Sequence, residues 1–137
     1  MMATDLKYSE LTERLIGIYF EVYRELGYGF LEHIYEKAFV MLLEERSIHF
    51  QQQVPLRVTF RGNELGEFRA DLIIESVVIV ELKAVQKIDL AHEKQILNYL
   101  RATNVEVGLI FNFGPSAQFR RIVFENQRKA SARAAGT

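Results

Sequence analysis

Three features of the sequence predict an α/β domain in which a mixed central sheet is flanked by helices. Apolar residues recur at helical spacing over the first third of the chain and switch to strict alternation near Val54. Two turn signals, Arg61-Gly-Asn-Glu64 and Glu75-Ser76, then cut the chain into a meander of three strands. A helical segment follows and separates two strongly apolar runs, residues 77–84 and 105–113, as a crossover between strands of one sheet would.

Residues 10–26 carry Leu11, Leu15, Ile18, Val22 and Leu26 at helical spacing, with Ser9 as the expected N-cap and Gly27 and Gly29 as the stop. A second helix is expected over about residues 30–46, with Leu31, Ile34, Ala38 and Leu42 as its stripe and Tyr35 and Phe39 beside it. Val54, Leu56, Val58 and Phe60 alternate with polar residues in a first strand, and residues 65–74 form its hairpin partner. Residues 77–84 make a third strand whose apolar density implies burial on both faces. Asp89 suits an N-cap, Leu90, Ile96, Leu97 and Leu100 form the apolar set of the helix it opens, and Asn104 is the expected stop. A buried strand over 105–113 ends at Gly114-Pro115, and residues 118–124 read as a short edge strand.

The 137 residues predict one domain over 1–125, and the basic, small-residue stretch QRKASARAAGT within 126–137 reads as a disordered tail. A 49% hydrophobic and 26% charged composition is that of an ordinary globular protein. With no cysteine, disulfides and thiolate metal sites are excluded. No apolar run approaches the length of a membrane span and the start MMATDLKYSE lacks a signal-peptide core, so the expectation is a cytoplasmic protein with no membrane partner. Lys and Arg total 17 against 18 Asp and Glu, so a nucleic-acid binder is not announced by bulk charge and would have to rely on a local basic rim.

Charge in the wrong place carries the functional signal. Alternation along 77–83 puts Ile79, Glu81 and Lys83 on one face, in one of the most apolar stretches of the chain, and unpaired ions there would cost several kcal/mol each. A hairpin centred on Glu75-Ser76 sets Asp71, which shares a face with Glu67 and Arg69, opposite Glu81. Two carboxylates held that close call for a cation, and oxygen ligands favour Mg²⁺ or Mn²⁺. Lys83 is then placed to orient or help deprotonate a water attacking a phosphodiester. Glu32, Tyr35 and Phe39 share a border of the second helix, and His92, Gln95 and Tyr99 share a face of the third. The alternatives for the same residues are an exposed Glu81–Lys83 pair on an edge strand, Asp71 as a hairpin residue and Tyr99 as core. Glu36, Lys37, Glu44, Glu45 and Arg46 read as helix-surface charge.

Asp71 followed after ten residues by Glu81-Leu-Lys83, in a meander that leads into a helix, resembles the PD-(D/E)XK nuclease superfamily. Gln95-Ile-Leu-Asn-Tyr99 is similar to the Q-x-x-x-Y helix of its recombination-nuclease branch, and Gly29-Phe-Leu-Glu32-His-Ile-Tyr35 fits the signature of a small bacterial and archaeal group, the GxxExxY family. Ala70 stands where the superfamily often has Pro. The resemblance covers about residues 10–125 and implies a restriction-endonuclease-like αβββαβ core and Mg²⁺-dependent cleavage of nucleic acid, with DNA as the expected substrate. It further implies that Asp71, Glu81 and the backbone carbonyl of Leu82 hold Mg²⁺ or Mn²⁺, supported by Glu32. Lys83 would handle the water, while Gln95 and Tyr99 orient the lysine or bind phosphate. Arg57, Arg61, Arg69, Lys87, Lys94 and Arg101 are candidates for backbone contacts. The small size makes a homodimer or a protein partner a further expectation, and a non-catalytic binding module on the same fold is the alternative function.

Overall fold

The computed structural model describes residues 7–129. Its elements are α1 (Ser9–Leu26), α2 (Glu32–Glu45), β1 (Phe50–Phe60), β2 (Asn63–Ile74), β3 (Val78–Lys83), α3 (Leu90–Ala102), β4 (Val107–Phe113) and β5 (Ala117–Val123). One sheet runs in the order β1-β2-β3-β4-β5, with every neighbour antiparallel except the parallel β3–β4 pair that α3 bridges. The expected αβββαβ core is present, preceded by one further helix and closed by an edge strand.

The β1–β2 turn is tighter than the sequence suggests, because Arg61 and Gly62 alone make it and Asn63 already pairs with Phe60. Both turn residues have positive φ, which matches the right-handed twist of the flanking strands. The sheet buries both faces. One face packs Leu72, Ile74, Val78, Val80, Leu82 and Phe111 against α1 and α2, and the other packs Ile73, Ile79 and Ile110 against α3. All seven residues of β4 are buried, so this strand is the floor on which both helical layers rest.

Several helix details depart from the periodicity. Ser9 is the first helical residue rather than the cap, and Tyr8, in a left-handed conformation, precedes it. On α2 the buried set is Tyr35, Phe39 and Leu43, while Leu31 is 70% exposed. Two adjacent stripes of α2 are similarly apolar, and the aromatic one wins because Tyr35 stacks on Phe113 at 4.2 Å and Phe39 meets Phe111 at 5.6 Å. On α3 the buried residues are Ile96, Tyr99 and Leu100, with Leu90 64% exposed, and the helix ends at Thr103, one residue before Asn104. Residues 126–129, expected in the tail, form a helical turn, and the Nζ of buried Lys129 donates to the carbonyls of Thr103 and Val105. The rest of the expected tail, 130–137, lies outside the described residues.

Candidate active site

The antiparallel ladder between β2 and β3 pairs Ile74 with Val78, Ile73 with Ile79 and Leu72 with Val80. At the next position carboxylates replace backbone partners. The Asp71 N–H donates to Glu81 Oε2 at 2.8 Å, and the Leu82 N–H donates to Asp71 Oδ2 at 2.9 Å. Asp71 and Glu81 are thus brought together by the hairpin register, but in a wedge where the strands separate rather than in a closed ladder. Strict alternation along β2 also stops there, since Ala70 packs on the α3 side and Leu72 on the α1–α2 side. Asp71 therefore does not simply continue the face of Glu67 and Arg69.

Glu81 is only 3% exposed. Burial pushes its carboxyl up to about 8, with the nearby Asp71 charge adding to the effect. Burial likewise raises Asp71, partly opposed by the Leu82 hydrogen bond, and the Glu36 charge raises it further. Tyr99, whose hydroxyl donates to the Arg69 carbonyl at 3.3 Å, is raised to about 12 by burial and then by the charges of Glu81 and Asp71, so its phenol stays protonated beside them. The site thus disfavours two negative charges held side by side.

Lys83 extends from the end of β3 on the same side as Glu81 and donates from Nζ to Gln95 Oε1 at 3.2 Å. Gln95 and Tyr99, one turn apart on α3, thereby meet the strand acids and the lysine from one helix face. The chain leaving Lys83 is pinned by buried Asn112 of β4, whose Oδ1 accepts from the Val85 N–H at 2.9 Å and whose Nδ2 donates to the Val85 carbonyl at 3.0 Å. Gly114 supports the same segment. A Cβ there would collide with the Val85 carbonyl oxygen and lie 2.8 Å from Asn112 Nδ2. Gly114→Ala is expected to cost about 3 kcal/mol, read as a fall in Tm, because backbone rather than a flexible side chain would have to move.

The first turn of α2 approaches the other side of this end of β3. Glu32 Oε2 accepts from the Ala84 N–H at 3.4 Å. Gly29 reaches φ 114, open only to glycine, and the Tyr35 hydroxyl closes the loop by donating to the Gly27 carbonyl at 2.6 Å and accepting from the Phe30 N–H at 3.2 Å. Gly29, Glu32 and Tyr35 thus each have a physical task in bringing α2 to the sheet. Tyr28, Phe30, Ala84 and Gln86 line an open groove of about 320 Å³ beside Glu32.

Two neighbours of the site were not expected. Glu36, read as surface charge, sits one turn beyond Glu32 and accepts from Gln52 and Gln53. Gln53 Nε2 also lies 3.5 Å from Asp71 Oδ1. The i, i+4 spacing of Glu32 and Glu36 was a visible signal for the first, and nothing in the sequence pointed to the second. His92, by contrast, is absorbed in capping α3: its N–H donates to Asp89 Oδ1 and its Nδ1 accepts from the Asp89 N–H. Four of the six basic candidates have partners within the chain. Arg57 lies near Glu64 and Glu67, Arg61 over Phe60, Arg101 over Phe124, and Arg69 donates to the Gln53 carbonyl. Lys87 and Lys94 are exposed.

Among the described residues, no three His, Asp or Glu side chains gather into a closed cage for a cation. The chemistry of the pair, a buried Glu81 carboxyl beside a partly buried Asp71, still fits a hard, oxygen-seeking ion that keeps part of its water, as Mg²⁺ does. The family model of the PD-(D/E)XK nuclease superfamily matches residues 9–122. The crystal structure of SSO0001 has a TM-score of 0.54 and 20% sequence identity to this chain, over 76% of this chain and 55% of that one, a likeness of fold. No curated protein sequence matches the chain.

Proposed function

Because the chain belongs to the PD-(D/E)XK nuclease superfamily, we propose that it is a Mg²⁺- or Mn²⁺-dependent phosphodiesterase acting on nucleic acid, most simply DNA. The observation that carries this reading is the wedge itself: Glu81 is buried and Asp71 partly so, each carboxylate accepts a hydrogen bond from the other's strand, and Lys83 lies on the adjoining pleat. Asp71, Glu81 and the Leu82 carbonyl are assigned as cation ligands, with Glu32 supporting from α2. The ion, when bound, supplies positive charge to the phosphoryl oxygens.

The chain's own residues do the rest. Gln95 holds the Lys83 ammonium toward the site, where it orients the attacking water and offsets charge as the water oxygen bonds to phosphorus and the leaving oxygen departs. Tyr99 keeps its proton beside Glu81 and Asp71, and its one O–H turns from the Arg69 carbonyl to donate to phosphate. Lys87 and Lys94 contribute to a phosphate-contacting rim, so binding weakens with salt. The finer assignment to the GxxExxY family rests on Gly29, Glu32 and Tyr35, whose backbone and hydroxyl roles are specific to the loop that delivers Glu32.

The test is cleavage of labelled single-stranded, duplex and branched DNA and RNA in Mn²⁺ and Mg²⁺, with Lys83→Ala purified beside the parent. Parent activity lowered by about a hundred- to a thousand-fold in a folded variant is the expected result, the range for removing one preorganised electrostatic group. Equal inactivity of both proteins on every substrate would turn the reading to the non-catalytic binding module.

A further inference from the structure

We propose that Gln53 is a positioning residue for the acids of this site, retained in a left-handed backbone conformation for the sake of its side chain. The inference rests on the cation-binding reading above.

Gln53 lies in the middle of β1 with φ 50. Gln52 pairs with Leu72 and Val54 with Ala70, so Gln53 stands opposite Asp71. The backbone has a reason to deviate at this point. Phe50 packs against the α1–α2 core and Val54 against the α3 core, although an even spacing should keep them on one face. The hairpin rolls over at Gln53 and Asp71 together.

That roll explains a left-handed residue but not a glutamine. A non-glycine in this conformation costs about 1–2 kcal/mol, and Gly or Asn would carry the same bend at less cost. The side chain supplies the missing reason. Its Nε2 donates to Glu36 at 3.0 and 3.2 Å to the two carboxylate oxygens and reaches Asp71 Oδ1 at 3.5 Å. One amide nitrogen has two hydrogens, so each acid receives one. Asp71 is then oriented at both oxygens, Oδ2 by the Leu82 N–H and Oδ1 by Gln53. Each oxygen keeps a second lone pair directed elsewhere. The amide also separates two like charges, one from α2 and one from β2, that would otherwise repel.

Gln53→Gly and Gln53→Asn in the full chain test this. Both fit the left-handed backbone, and neither spans from β1 to Glu36 and Asp71 together. The expected result is a Tm in EDTA equal to or above that of the parent, with Mn²⁺ bound about ten-fold more weakly by titration calorimetry, as for loss of an outer-shell partner. A lower Tm with unchanged Mn²⁺ affinity in both variants would make Gln53 a structural residue and overturn the proposal. So would unchanged Tm with unchanged affinity. A parent that binds no Mn²⁺ at millimolar concentration would overturn the cation-binding reading itself and this inference with it.

Discussion

Glu81→Gln is expected to abolish cleavage while making the metal-free protein more stable above neutral pH. Glutamine keeps the shape and an oxygen to accept the Asp71 N–H, but it cannot ionise. In the parent, burial and Asp71 raise the Glu81 carboxyl to about 8 against an ordinary 4.5. The unfolded chain therefore releases this proton well before the folded one does. Stability present below the ordinary value is lost as the pH rises, by up to about 1.4 kcal/mol per unit, until the folded carboxyl also ionises. At pH 8 in EDTA the glutamine variant avoids that loss, so its Tm should exceed the parent's, whereas at pH 4.5 the two should nearly coincide. Cleavage should be lost in this variant, since the carboxylate proposed to hold the cation is gone. A variant less stable than the parent at the higher pH would instead identify Glu81 as the acid of a structural ion pair with Lys83.

The second large effect is the response of the parent to divalent cations. Glu81, held up to about 8, retains a proton that a cation must displace, and Asp71 is shifted in the same direction. Mn²⁺ binding should therefore release protons, and its affinity should climb steeply between about pH 6 and pH 8 and level off above the Glu81 value. Calorimetry in two buffers of different ionisation enthalpy measures the release directly. In the absence of cation, Tm should fall as pH rises through this window, and saturating Mn²⁺ should flatten or reverse that slope, because binding to the folded state alone adds stability. A Tm that rises over the same window in EDTA would contradict the burial of an uncompensated carboxylate at Glu81.

Much of this site was legible in the sequence because charge among Val and Ile is conspicuous. Glu81 and Lys83 interrupt a run that is otherwise apolar on both faces, and the Glu75-Ser76 turn sets the register that carries Asp71 to Glu81. Gln95 and Tyr99 were readable from helical spacing once α3 was placed. For Glu36 the sequence offers only the i, i+4 spacing from Glu32, and what that spacing does depends on which side of α2 docks. That choice is made by stacking of Tyr35 on Phe113 and contact of Phe39 with Phe111, between residues far apart in the chain.

Local periodicity and turn chemistry by themselves determined the order of elements, the mixed sheet and the acid–acid–lysine set, since these depend on spacings of a few residues and on the cost of burying charge. The tertiary structure alone decided where alternation fails. Gln53 and Asp71 face each other across β1 and β2 where both strands change faces, and a positive φ at a glutamine leaves no mark in composition or period. The same is true of the wedge between Asp71 and Glu81. Its opening results from packing on both sides of the sheet, which turns a regular ladder into a site where side chains take the place of backbone partners.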